Sequence, residues 1–332
     1  MDEIDLDAYG PTVRQIYELA TKKIGGADEP LYGGEVTFQG VERSQELDGV
    51  DIAVLGCPYD LGTTFRPGAR FGPRSVRELS RFIGAWPMGV WPWDDNIRDE
   101  HRIIDYGDVP YVTGYWDSFR DSATAIANTI LSAGASMLSL GGDHYVTHPL
   151  MTAHAEHHGP LAIVHFDSHS DDLPVPTHNH GTMFFHGIHE GLIDPSASMH
   201  LGLRTPYPQS KELGYAVLDA IAIREMTSQQ IANAVAERVG DRPAYVTFDI
   251  DFVDPAFAPG TGTPCPGGPD VYKSREILFE IDATGINVVG GDMVEVAPAY
   301  DGPGQITALA GATIASYILE LIAHSRARSS AT

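Results

Sequence analysis

From Val50 onward the chain alternates short apolar runs with stretches of helical periodicity. Asp51–Gly56, Arg102–Tyr106, Ala135–Leu140, Leu161–Phe166, Ser198–Leu203, Ala244–Ile250 and Ile286–Val289 are compact runs rich in Ile, Val, Leu and Ala, and each is expected as a strand. Between them, Pro73–Phe82, Trp116–Ser132, Thr147–His157, Thr227–Arg238, Val271–Ala283 and Ile306–His324 space their apolar residues as one face of a helix. Pro73 falls in a first helical turn, where its missing N–H costs nothing. Strand, helix and strand repeated in this way give βαβ units, which require parallel strands. The expected fold class is therefore α/β: a single three-layer, doubly wound domain with a mostly parallel sheet. The unbroken apolar run Leu161–Phe166 fits a strand buried on both faces.

Residues 1–45 are polar and broken by Gly25-Gly26 and Gly33-Gly34, so they read as an N-terminal arm with one helix around Val13–Lys22. Residues 46–326 form the α/β domain, and 327–332 a tail. No internal repeat or long linker divides the chain.

Composition narrows the partners. The 332 residues carry 21 Lys+Arg against 45 Asp+Glu, a formal net charge of −24. Such a surface repels phosphate backbones and anionic lipid, so neither nucleic acid nor membrane is expected as a partner. The acidic start Met-Asp-Glu-Ile-Asp is unlike a basic targeting signal, and no run of about eighteen uninterrupted apolar residues occurs. Two cysteines, Cys57 and Cys265, cannot build a disulfide framework. A soluble, cytoplasmic protein is the expectation.

In doubly wound sheets, ligands bind beyond the carboxyl ends of the strands. Three of these ends are chemically unusual: Gly141-Gly142-Asp143-His144, then His165-Phe166-Asp167-Ser168-His169-Ser170-Asp171, then Phe248-Asp249-Ile250-Asp251-Phe252-Val253-Asp254-Pro255. A lone Asp at a strand end is ordinarily a cap, and a lone His ordinarily a packed or surface residue. Spacing is what raises these above that. Residues two apart in extended chain share a face, so Asp249 and Asp251 crowd two carboxylates together, which is costly unless a cation lies between them. Asp167, His169 and Asp171 repeat the two-residue rhythm, and His144 adds a second imidazole. Six oxygen and nitrogen donors without a thiolate suit octahedral Mn²⁺, with Ni²⁺ as the alternative, and six donors suit two divalent ions better than one.

These three motifs, in this order, resemble the ureohydrolase family of arginases, agmatinases and guanidinobutyrases, from about Val50 to the C-terminal helix. The resemblance implies an arginase-like fold and a binuclear metal hydrolase that cleaves a guanidino C–N bond to release urea and an amine. The family's middle motif usually reads Asp-Ala-His-Thr-Asp, and here Ser168 and Ser170 replace its two non-ligating residues. His180-Gly-Thr-Met-Phe184, Glu190-Gly-Leu-Ile193 and Arg66-Pro-Gly-Ala-Arg-Phe-Gly-Pro73 are similar to the agmatinase and guanidinobutyrase branch. By the same resemblance His144, Asp167, His169, Asp171, Asp249 and Asp251 ligate the metals, with Asp249 and a middle aspartate expected to bridge. His180 would protonate the departing amine. Glu295, in Asp292-Met-Val-Glu295-Val-Ala-Pro298, would hold the guanidinium group.

The substrate stays open at this level. Agmatine carries a distal ammonium and guanidinobutyrate a carboxylate, for which Arg204 and Tyr207 are candidate partners. His178 and His186 are candidate substrate contacts. The aromatic stretch Trp86–Trp93 would make a wall for guanidine derivatives or biguanides, or simply a satellite core. The resemblance further implies a homotrimer or hexamer. A metal-binding, non-catalytic subunit of a hetero-oligomer is the competing reading, and the complete set of ligands, His180 and Glu295 speaks against it.

Overall fold

The computed structural model describes residues 5–8, 10–20, 33–84 and 89–330. Its strands are β1 (Glu42–Arg43), β2 (Ile52–Cys57), β3 (Ile103–Asp108), β4 (Ser136–Gly141), β5 (Ala162–Phe166), β6 (Met199–Leu201), β7 (Ala216–Leu218), β8 (Ala244–Asp249) and β9 (Val288–Val294). Its helices are α1 (Pro11–Ala20), α2 (Gly72–Gly84), α3 (Ile97–Glu100), α4 (Trp116–Ser132), α5 (Thr147–His158), α6 (Met183–His189), α7 (Pro208–Leu213), α8 (Ala220–Glu225), α9 (Ser228–Val239), α10 (Val271–Thr284) and α11 (Ile306–Ser330). The strands form one nine-stranded sheet in the order β1-β3-β2-β4-β9-β8-β5-β6-β7, every pairing parallel.

Alternation along the strands sorts the core onto two faces. Ile52 and Val54 of β2 pack with α2, α9, α10 and α11, whereas Ala53 and Leu55 pack with α4 and α5. These are the three layers expected from the pattern. Local chemistry sets the ends of the helices. Thr227 and Gln230 form a reciprocal capping box at the start of α9, and Gly285 terminates α10 in the left-handed conformation.

The short elements α3, α6, α7, β7 and α8 were not marked by the sequence reading, and three further segments depart from it. The strand expected at Ile286–Val289 runs on as β9 through Gly290-Gly291-Asp292 to Val294. A Cβ at Gly290 would collide with the His154 ring, and one at Gly291 with the Val246 carbonyl and Ile318. The glycines that obscure the strand are thus what lets both helical layers close on it. Glu42–Arg43, in the segment read as an arm, supplies the edge strand, and Phe38 beside it is buried. At the other end, α11 continues through the residues read as the start of a tail, to Ser330. Of the helix expected at Val13–Lys22, α1 covers the part up to Ala20, and Lys22 lies outside the described residues. The helix α11 is long and apolar enough to cross a membrane, but 83% of that stretch is buried in the protein, where it serves as the central helix of one layer.

The Trp-rich stretch is a satellite core. Trp93 packs edge-on to Phe279 and Tyr317 and donates its indole N–H to Asp282, 2.9 Å away. Trp91 is exposed beneath Arg275, and Trp86 lies outside the described residues. None of the described part lines the cavity described below.

Two polar clusters inside this frame give measurable consequences. Arg77 of α2, 4% exposed, donates to both oxygens of Asp105, at 2.7 and 3.0 Å, to Asp108 and to the Gly107 carbonyl. Removing one partner of a buried pair strands the other charge, so Arg77→Met is expected to cost about 3–5 kcal/mol, read as a lower chemical-denaturation midpoint.

On α11, His324 sits 2.6 Å from Asp282 and 3.0 Å from Asp95. Burial pushes this imidazole down, but the two carboxylates outweigh it and raise it to about 9. The neighbouring Glu320, 1% exposed, is pushed up by burial to about 8. Both groups bind protons more tightly when folded, so their contribution is held at low pH and lost with rising pH. For His324 it is complete below 6.5 and disappears as the pH passes 9. His324→Gln should therefore lower the melting temperature most below pH 6.5 and progressively less as the pH rises toward 9, as a thermal melt series would read.

Candidate metal centre

Four adjacent strands in the middle of the sheet, β4, β9, β8 and β5, deliver the six candidate ligands and Glu295 at their carboxyl ends, and His180 comes from the loop before α6. After β4 the chain turns through Gly142, where a Cβ would strike the backbone of Tyr59. Asp143 then caps a 3-10 turn by accepting from the Tyr145 N–H, which presents His144. After β5 come Asp167, His169 and Asp171, and after β8 come Asp249 and Asp251. Glu295 follows β9 directly.

The six expected ligands converge. His144 Nδ1 lies 3.1 Å from Asp167 Oδ2, 2.9 Å from Asp171 Oδ2 and 3.5 Å from Asp249 Oδ2. His169 Nδ1 lies 3.0 Å from Asp251 Oδ2 and 3.3 Å from Asp167 Oδ1. Asp167 thus turns one oxygen to each imidazole. The four aspartates are between 0% and 8% exposed, and His169 is the most open of the six. Burial and the Asp251 and Asp167 charges hold Asp249 well above the usual carboxylate range; burial and Asp167 push Asp171 to about 7. Among the described residues no Lys or Arg pairs with any of the four. Four crowded carboxylates with two imidazoles, shut away from water, fit a pair of divalent cations and little else.

Backbone strain marks the same place. Asp171 and Glu295 have φ of 51° and 63°, two of the four non-glycine residues with positive φ among those described. Such conformations persist where the surroundings over-determine them. Glu295 is fully buried. Its Oε1 accepts from the His144 N–H at 2.9 Å and meets His180 Nδ1 at 2.8 Å, while Oε2 has no hydrogen-bond partner. The other ring nitrogen of His180 accepts the Thr64 N–H at 3.1 Å and lies 2.7 Å from the Thr64 hydroxyl. Burial lowers the His180 imidazole, but Glu295, with Asp171 and Asp143 beyond it, raises it to about 9. The Thr64 N–H favours the singly protonated ring and the carboxylates the doubly protonated one.

A cavity of about 300 Å³ opens over these groups, bounded by His169, Asp171, His180 and Asp249 with Leu173, Thr205 and Thr263. Among the described residues neither Lys nor Arg lines it. Arg204, a candidate partner for a substrate carboxylate, instead spends its guanidinium on the carbonyls of Cys265, Gly202 and Asp251. Tyr207 donates to Asp219 at 3.0 Å. Both are structural. His178 and His186 do not line the cavity either; they stack on each other, and His178 lines a separate groove.

The sequence reading also missed a supporting layer. His144 Nε2 lies 2.8 Å from the Thr247 hydroxyl, which donates to Asp292 at 2.6 Å; Asp292 also accepts from Thr147 and Tyr245. This chain fixes the His144 ring so that Nδ1 faces the carboxylates. His165, which is not among the six expected ligands, lies 2.9 Å from Asp167 Oδ2 and 2.8 Å from His200. Ser168 donates its hydroxyl and its N–H to Asp251 at 2.7 and 3.1 Å.

Comparison with known proteins agrees with this architecture. The model of the arginase family matches residues 50–320. The agmatinase of Serratia proteamaculans (strain 568) is 45% identical over 269 residues, 81% of this chain and 86% of that protein. A crystal structure described as a hypothetical agmatinase from Burkholderia thailandensis superposes with a TM-score of 0.85 at 43% identity, covering 92% of this chain and 94% of the other. Proclavaminate amidino hydrolase from Streptomyces clavuligerus gives a TM-score of 0.83 at 38% identity, over 90% of this chain and all of that one (100%).

Proposed function

This chain belongs to the arginase family and is a metal-dependent amidinohydrolase that cleaves a guanidino C–N bond, and on that premise we propose that its substrate is agmatine or a guanidino compound with a similarly cationic or neutral far end. The supporting observation is the cavity wall, which among the described residues offers a distal carboxylate no Lys or Arg to pair with. A carboxylate taken into such a site without a cationic partner loses its hydration uncompensated. The names of the similar agmatinases point the same way.

In this reading His144, Asp167, His169, Asp171, Asp249 and Asp251 would together hold two divalent ions. The donor set favours Mn²⁺, with Ni²⁺ as the alternative. Bound there, the two ions supply a water-derived nucleophile at neutral pH. The protein does the rest. Glu295 Oε2, buried and unpartnered, accepts a guanidinium N–H and fixes the plane of the group, while Oε1 stays engaged with His144 and His180. Water oxygen bonds to the guanidinium carbon, the bond to the substituted nitrogen breaks, and His180 delivers a proton to that nitrogen so that it leaves as an amine. The other product is urea. A cytoplasmic location and a homotrimeric or hexameric assembly complete the proposal; Cys57 and Cys265 are free thiols, in keeping with a reducing compartment.

Steady-state kinetics over agmatine, 4-guanidinobutyrate, arginine and guanidine tests the assignment. Agmatine is expected to exceed 4-guanidinobutyrate in kcat/KM by on the order of 10²-fold or more. A preference for 4-guanidinobutyrate would overturn it.

A further inference from the structure

A second group of ligand-type side chains lies outside the carboxylate centre, where the C-terminal end of α6 meets α5 and the loop before α6. His178, His186 and Glu190 each offer a donor atom, and the three atoms lie within 4.8 Å of one another. His186 and Glu190 are four residues apart at the end of α6, so they share a helix face. His178 arrives from the loop and stacks on His186 with ring centroids 3.9 Å apart and planes at 20°. Its ring also stacks on Trp116 of α4, at 5.4 Å.

Two observations say that this group is short of a partner. His186 Nε2 is buried with no hydrogen-bond partner. His148 of α5 is only 5% exposed and its Nε2 is 3.1 Å from Glu190 Oε2, yet neither of its ring nitrogens makes a directed hydrogen bond. A buried polar nitrogen left unpaired costs about 1–3 kcal/mol, so the unpartnered His186 Nε2, beside two further donor groups, calls for an occupant. Burial, with His186 and His148 close by, also holds the His178 imidazole below its ordinary value, which keeps the lone pair available. The cluster opens onto a groove of about 540 Å³.

We propose that His178, His186 and Glu190 bind a third divalent ion, of the zinc class, with His148 orienting Glu190 from inside. Two imidazoles and one carboxylate, with a further position open to the groove, make a nitrogen-rich site unlike the oxygen-rich centre, and that is the donor set zinc favours. The ion would tie the loop ahead of α6 to its helices. His178 is two residues before His180, so the same ion would steady the wall that carries His180.

The test is metal analysis of the full-length protein loaded with Zn²⁺ and desalted, taken alongside circular dichroism and melting temperature. Wild type should retain three ions per chain and both His186→Asn and Glu190→Gln two, with a lower zinc-loaded melting temperature in each. Asp249→Asn should keep the groove ion while losing one at the carboxylate centre, so the two sites are read separately. Glu190 is partly exposed, and its variant serves if His186→Asn does not fold. Wild type saturating at two ions, or variants that still hold three, would overturn the proposal.

Discussion

Asp249→Asn is expected to remove urea release almost entirely while leaving the fold in place. Asp249 is 3% exposed, with Oδ1 accepting the Asp251 N–H at 2.7 Å and Oδ2 facing His144 Nδ1 at 3.5 Å. Asparagine keeps the shape and the first of these contacts, but it brings a neutral amide to a position proposed to hold a metal ion. Metal activation contributes several kcal/mol to such reactions, and each 1.36 kcal/mol is tenfold in rate, so a loss of about 10³-fold or more follows. One ion per chain should weaken or disappear in metal analysis. Without metal the expectation has the opposite sign for stability. Asp249 is crowded by Asp251 and Asp167, so deleting its charge should leave the metal-free variant melting no lower than the metal-free wild type. A variant that hydrolyses agmatine at the normal rate would show the ligand assignment to be wrong.

Glu295→Gln should separate substrate binding from metal binding. The amide can still accept from the His144 N–H, but it no longer opposes a guanidinium charge with a buried carboxylate. Hydrogen bonds to charged groups are worth about 1.5–3 kcal/mol, and stranding a buried cation costs more, so kcat/KM should fall on the order of 10²–10³-fold. The metal content should stay at the wild-type value, because Glu295 contacts the centre only through the backbone of His144 and the ring of His180. Loss of metal in this variant would instead make Glu295 a ligand.

The metal ligands were legible in the sequence because they are carried by period, whereas Glu295 and His180 stood out only through the family resemblance. Two-residue spacing in extended chain puts Asp249 with Asp251 and Asp167 with His169 and Asp171, and strand ends in a doubly wound sheet converge. What escaped depends on register between strands. Thr247 reaches Asp292 because β8 and β9 pair those two positions, and no local pattern marks a threonine for that task. The strand β9 itself was half hidden, since the expected strand stopped at Val289, before two glycines whose missing side chains leave room for the His154 ring and Ile318. The strands β1 and β7 span two and three residues, too short to show alternation. Arg204 and Tyr207 were misleading for a related reason: a position just past a strand end is necessary for the site, but the direction of the side chain decides, and theirs point to backbone carbonyls and Asp219.

The most direct test is product analysis. The full-length protein loaded with Mn²⁺ or Ni²⁺ and incubated with agmatine should release urea and the corresponding diamine in one-to-one yield, stop on chelation and resume when the metal is restored. Two ions bound per chain at the carboxylate centre with no urea from agmatine or any other guanidino compound would contradict the account.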